Sequence, residues 1–422
     1  MKANITPRRH NHWDEDEVLS QFSLYEGDLL NRVFAKIGLG ARKPLHMLGR
    51  ILILVSISYG GMALLSIEPT LNLPADAEAA QNFFYDFAAY GQFFVGLPLF
   101  IIAERIISEN ILSAARDFEN SGVVAPEDKP KLDNIEKDIA VLRKKAWPEI
   151  MCILFSYYMA FMALGPELFI KDAEMITWHS TEISGHPFLT HWMTPAGWYA
   201  MLVALPIQSY IWVRCVWKVG MWYWYLRRVS RFHLVLVASH PDHTGGIGFL
   251  SEVQAKFAIV ILAFGVSNII STVGYKIAVE HAPVDLPSVW GMVVGFVIGA
   301  PLLFLAPLLL FTKQLGRTKK RALAQFREKA MASALKVEQE WLHSPPGEEQ
   351  EVVLRGELSQ LNLLTGFYER IHGMRVVPFD LRSAGQLIGS AAGPMIPLLP
   401  YFVKMPEPWV KILEALTKWL PH

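Results

Sequence analysis

Nine residues, His240-Pro241-Asp242-His243-Thr244-Gly245-Gly246-Ile247-Gly248, bring together two imidazoles, a carboxylate, a hydroxyl and three glycines. Pro241 fixes its own φ and turns His240 away from the helical region. Gly245, Gly246 and Gly248 admit backbone angles closed to other residues. Three chemistries suit this string. Asp242 can fold back and accept backbone hydrogen bonds, which makes the loop a structural turn. Exposed amides just before a helix can instead hold an anion or a lipid headgroup. Arg227, Arg228 and Arg231 lie just upstream and would add positive charge. Alternatively, His233, His240, Asp242 and His243 are all metal-ligand types and could hold an ion. The string implies no cofactor.

The elements around the loop must present it. Ser251 and Gln254 have capping-box spacing just before the apolar run 257–262, which predicts a helix start there. Part of the loop matches the metallo-β-lactamase signature, but Ala238 stands where that family has another histidine. No downstream ligand set or αββα pattern follows, so that match is set aside. The pattern His240-Pro241-Asp242-x-x-Gly245-Gly246-x-Gly248-Phe249-Leu250 resembles uncharacterised bacterial multi-spanning membrane proteins. Val377-Pro378-Phe379-Asp380-Leu381-Arg382 and the proline-punctuated apolar stretch after it are similar to them too. The resemblance implies a membrane architecture over most of the chain and no particular activity.

Composition agrees with a membrane protein. Of 422 residues 52% are hydrophobic and only 18% charged, against roughly 25% charged in soluble proteins. Formal net charge is zero, so no basic surface suggests nucleic acid. Cys152 and Cys215 lie in apolar segments and read as buried thiols. The acidic and basic N-terminus has no signal-peptide core, so the first spanning helix serves as the targeting signal.

Six apolar runs, 51–67, 83–107, 147–170, 196–217, 257–279 and 289–312, are long enough with their flanks to cross the hydrocarbon. Basic residues cluster on alternate connections, as with Arg143, Lys144 and Lys145, then Arg227, Arg228 and Arg231, then Lys319, Lys320 and Arg321. The positive-inside rule puts both ends of this unit in the cytoplasm, and the resemblance implies a bacterial inner membrane. The expected fold is an all-α polytopic membrane protein with six transmembrane helices. Residues 1–46 form a cytoplasmic arm, whose 18–37 stretch has the spacing of a surface helix. Residues 47–312 form the six-span domain, with a cytoplasmic helical hairpin at 106–145. Residues 313–375 form a cytoplasmic helical region, and 376–422 a membrane-associated segment. Within the last, 384–403 is broken by Pro394, Pro397 and Pro400 and is either a short seventh span or, as the prolines favour, re-entrant or interfacial. Residues 409–420 are amphipathic.

Three repeated hairpins are suggested by Gly96-Leu97-Pro98, Ala204-Leu205-Pro206 and Gly299-Ala300-Pro301. Ser56 and Ser156 also share their surroundings. Chance matching among apolar residues is the alternative. Transporters are often built from such repeats, with a pathway between them. Gln92, Pro98, Pro206, Gln208, Asn268, Ser271, Thr272 and Pro301 are the pathway candidates. Asp86, Glu149, Glu167, Arg214 and Lys276 are placed at span ends, where snorkelling lowers their cost. His179, His186 and His191, with Glu174 and Glu182, have spacings that fit no known metal site.

The leading expectation is a channel or transporter for a small ion or solute, a homo-oligomer in the lipid bilayer, with no catalytic residues assigned. A membrane enzyme or ligand sensor using the 240–248 loop for an anionic ligand is one alternative. A scaffold that recruits a partner through residues 313–372 is another.

Overall fold

The computed structural model describes residues 29–40, 44–73, 81–165, 177–182, 191–278, 287–343, 359 and 362–398. The surface helix expected over 18–37 falls only partly among them, as Leu29–Lys36. The amphipathic stretch 409–420 and most of the 166–190 connection lie outside them. The chain is all-α. Six helices are long and apolar enough to cross a membrane: Leu45–Leu71, Phe87–Asn120, Trp147–Leu164, Pro195–Val229, Phe249–Gly274 and Gly291–Leu335. They are called here the first to sixth spans. Among the described residues the only strands are Ser180–Glu182 and His191–Met193, paired antiparallel between the third and fourth spans.

Two boundaries differ from expectation. The fifth span begins at Phe249, directly after the loop, because Leu250 and Val253 are already buried in the core. Ser251 and Gln254 therefore lie inside the helix and do not cap it. The helix of the sixth span continues past 312, through a 3-10 turn, Ala306–Phe311, into the helix Thr312–His343.

Four spans contain a wide π-helical turn: Ser56–Gly60, Gly91–Gly96, Ala200–Ala204 and Gly265–Ile270. In the second and fourth spans this turn ends just before Leu97-Pro98 and Leu205-Pro206. Proline has no N–H and its ring collides with the carbonyl four residues back. A widened turn moves that carbonyl aside, so sequence and geometry agree at both sites. Side chains meet some of the displaced carbonyls. Tyr199 Oη donates to the Ile57 carbonyl at 2.8 Å, and Ser271 Oγ to that of Val266 at 3.0 Å. The third Pro of the suggested repeat, Pro301, lies in the regular helix Pro287–Leu305. Ser156 likewise lies in a regular helix, whereas Ser56 opens a wide turn. The local geometry is thus shared by the second and fourth spans and not by the sixth.

The second, fourth and fifth spans are the most enclosed and the first and third the least. Leu97, Phe100, Ile107, Ile211, Leu226 and Phe257 fill the centre. Beyond the bilayer-length part of the second span, Lys129–Lys144 folds back and buries Leu132, Ile135 and Ile139 in the same core. The C-terminal helix Leu381–Ala392 and its 3-10 continuation Gly393–Leu398 together run about 30 Å. Leu387 and Ala391 bury against the core, and Met395 packs with Ile269, Val273 and Val293 of the fifth and sixth spans.

Candidate functional site

The spans enclose a cavity of about 230 Å³ at the end of the bundle opposite the basic residues. It is smaller than the ~300–1,000 Å³ typical of drug-sized pockets. Each wide turn contributes to it or borders it. Gln92 and Phe93 belong to the second span's π turn and Ala200 to the fourth's. Met62 and Ser271 follow those of the first and fifth. Isolated π turns are rare and concentrate at functional sites.

Asp86 closes one side of the cavity. Its Oδ1 accepts the amides of Ala88 (2.8 Å) and Ala89 (3.3 Å), which caps the second span's helix, and its Oδ2 accepts Trp178 Nε1 at 3.0 Å. Trp178 packs its ring edge on Phe83, and the buried His179 Nδ1 lies 3.0 Å from Thr177 Oγ1. Thr194 ties this segment down, donating from Oγ1 to the Trp178 carbonyl and accepting the Gly197 amide.

Polar groups continue beneath the cavity at helical spacing. One turn below Leu205 and Ser271, buried Gln208 Nε2 donates to Ser267 Oγ at 2.6 Å. Gln208 Oε1 is also buried and accepts no hydrogen bond among the described residues. Leu97, Phe100 and Ile211 then close the interior. Farther along, Glu104 Oε1 of the second span bonds Arg214 Nη2 and, at 2.9 Å, Lys218 Nζ of the fourth. Lys218 Nζ also reaches Ser108 Oγ at 3.3 Å. All four are buried. Buried charges persist only when paired, and removing one partner typically costs ~3–5 kcal/mol.

At the basic end, Asp242 organises the 240–248 loop. Its Oδ1 accepts the Thr244 amide at 2.8 Å, and its Oδ2 those of Gly246 (2.9 Å) and Gly248 (2.8 Å). His240 Nδ1 lies 2.8 Å from Oδ1. Partial burial opposes ionisation of Asp242, but the Thr244 and Gly248 amides and His240 outweigh it and hold the carboxyl below the usual range. Gly245 and Gly246 have φ of 71° and 99°, and even His243 is left-handed at 56°. The amides expected to meet an anion therefore point at the loop's own carboxylate.

The second motif docks on this loop. Arg375 donates its amide to the His243 carbonyl at 2.7 Å and its Nη2 to the Asp242 carbonyl at 3.1 Å. Asp380 caps the C-terminal helix by accepting the Ser383 amide at 2.8 Å. Ser251 Oγ donates to Asp380 Oδ1 at 3.1 Å and lies 2.9 Å from Ser383 Oγ. The Ser383 contacts, against weak burial, keep Asp380 below the usual carboxylate range.

The structure gathers Gln92, Ser271 and Thr272 at the cavity, with Gln208 one turn below and Pro98 and Pro206 beside its wide turns. Asn268, which reaches back 3.5 Å to the Phe264 carbonyl, and Pro301 are not among the lining residues. Arg227, Arg228 and Arg231 are exposed and make no hydrogen bond to the loop among the described residues; Arg228 stacks 4.7 Å from the Trp224 ring. His233 is exposed too, with its amide on Asp128 Oδ2 at 2.9 Å. The described residues contain no group of three or more His, Cys, Asp or Glu placed for a metal ion. His186, Glu174 and Glu167 lie outside the described residues.

Glu104, Lys218 and the role of Arg214 escape a reading by hydropathy, which places charges at span ends. A signal existed. Glu104 and Ser108, and Arg214 and Lys218, are both i,i+4 pairs, which put polar groups on one face of each helix. Comparison with protein-family models, with curated proteins and with solved structures gives no match for this chain.

Proposed function

We propose that this integral membrane protein is a transporter or channel that moves a small ion or solute, with the cavity at Gln92 and Ser271 as its binding chamber. The observation that carries the reading is the run of buried polar groups beneath the cavity, through the second, fourth and fifth spans. The apolar closure at Leu97, Phe100 and Ile211 lies between the two polar levels. It favours alternating access over a continuously open pore. Wide turns and Leu-Pro steps beside the chamber supply backbone that is not locked into one ladder. By the positive-inside rule the basic end and the N-terminus face the cytoplasm, and the chamber opens outward; the resemblance noted above makes the membrane a bacterial inner membrane. The little-buried first and third spans meet lipid or a second copy in a homo-oligomer.

The test is flux from liposomes that hold the purified, folded protein, over a panel of small ions and solutes. The expected result is selective, saturable flux. Gln208→Leu, which removes the polar pair below the chamber, should lower it about tenfold, the scale of one lost hydrogen bond. Asp242→Asn, remote from the chamber, should keep its selectivity. Absence of flux across the panel, from protein shown to be inserted, would overturn the reading.

A further inference from the structure

A second hollow, of about 550 Å³, opens on the outer surface of the bundle near the basic end. Its apolar floor includes Ile106 of the second span with Ala258 and Leu262 of the fifth. Its other wall is the C-terminal helix, which contributes Gln386, Gly389 and Ser390. Lys256 stands at its polar end.

Lys256 is the last residue of the helix Phe249–Lys256, just before the break at Phe257. The apolar run of the fifth span begins at the next residue, Phe257, which sets Lys256 at the headgroup–hydrocarbon boundary of a span of this length. Its Nζ donates to Asn110 Oδ1 at 2.6 Å. That contact uses one of its three donors. Among the described residues no carboxylate forms an ion pair with it. The neighbouring Arg105, by contrast, is held by Glu109 at 2.7 Å. Lys256 is exposed on the outside of the bundle, so at this depth it faces lipid. A lysine so placed holds its ammonium at the level of the lipid phosphates.

We propose that this groove binds one anionic phospholipid. The headgroup phosphate sits on Lys256, with Gln386 and Ser390 as further hydrogen-bonding groups. An acyl chain lies along Ile106, Ala258 and Leu262. The basic end would face the leaflet that carries the anionic lipids. Charge and shape here match a lipid better than a soluble ion, because most of the lining is apolar and opens sideways. This inference does not depend on the transport reading.

Native mass spectrometry of the full chain in detergent tests it, with phosphatidylglycerol and phosphatidylcholine of identical acyl chains. The expected result is about fivefold stronger retention of phosphatidylglycerol, the attraction due to one basic residue near a charged surface. Lys256→Gln should bring the ratio close to one, and Lys256→Arg should keep it. Gly389→Leu should weaken retention of both lipids, since a side chain there meets nothing within 4 Å and projects into the groove. Gly389→Leu also decides the matter if Lys256→Gln does not fold. Equal retention of the two lipids by the wild type would overturn the proposal. So would retention of both lipids untouched by Gly389→Leu, or displacement of the lipid by inorganic phosphate.

Discussion

Asp242 bonds three amides of its own loop, and a charged acceptor holds each of them more firmly than a neutral one would. Gly248 must be glycine for this: a Cβ there would lie 2.9 Å from Thr244 Oγ1 and 3.0 Å from Asp242 Oδ2. Asp242→Asn is the sharpest probe, because an amide nitrogen would replace one acceptor and face N–H groups. The expected loss is about 2 kcal/mol, read from thermal unfolding in detergent. The pH dependence follows from the depressed carboxyl. Its stabilisation is fully present above the ordinary aspartate value of 3.8 and is lost as pH falls through the lower folded-state value. The unfolding midpoint of the wild type should therefore drop in that acid range, with a smaller drop in Asp242→Asn. The loop as a turn built on Asp242 could be read from residue types alone. Its partner could not, because Arg375 is more than a hundred residues away and nothing local marks it.

Where the second and fifth spans cross, two wide turns face each other. Gly91 lies against Ser271 and Gly96 against Ser267, and a Cβ on Gly96 would come 2.5 Å from the Ser267 Cβ. Gly96→Val should therefore force the spans apart, at a cost of about 1–3 kcal/mol for overpacking. Adding Ser267→Gly should restore part of the loss, and a double-mutant cycle on the unfolding midpoint checks it. The spans themselves were legible because twenty apolar residues leave few other structures. The wide turns were not, since a shifted hydrogen-bond ladder changes no composition. Pro98 and Pro206 marked the right places without saying which distortion would answer them. Gln254 shows the same limit. It has the spacing of a helix cap, yet its Nε2 donates to the Phe304 carbonyl, whose partner three residues on is Pro307 and has no N–H.

At the scale of the molecule, the helical hairpin beyond the second span is fastened to the bundle partly through acids. Glu136, buried on Lys129–Lys144, is pushed up to about 8, first by burial and then by Glu119 and Asp133 facing it. Tyr225 of the fourth span is close enough to feel both glutamates. The folded state therefore favours protonated Glu136. This contribution is full below the ordinary glutamate value of 4.5 and is lost as pH rises through about 8. Hydrogen exchange in 129–144 should speed up as pH passes through that value, after correction for its intrinsic pH dependence. Glu136→Gln should remove the step. An unchanged step in the variant would assign it to another group. Nothing in the linear sequence marks Glu136, because a glutamate on an amphipathic helix reads as solvated until the fold covers it.

The wide turns carry one residue more than an α-helix needs at each place. Everything past such an insertion is turned by about 100° relative to a straight continuation. The first, second, fourth and fifth spans are each therefore two half-helices set out of phase. A single helical wheel drawn over a whole span mixes two azimuths, and its polar and apolar sectors cancel. In the second span, the stripe that meets the chamber through Asp86, Ala88 and Ala89 and the stripe that carries Glu104 belong to different wheels.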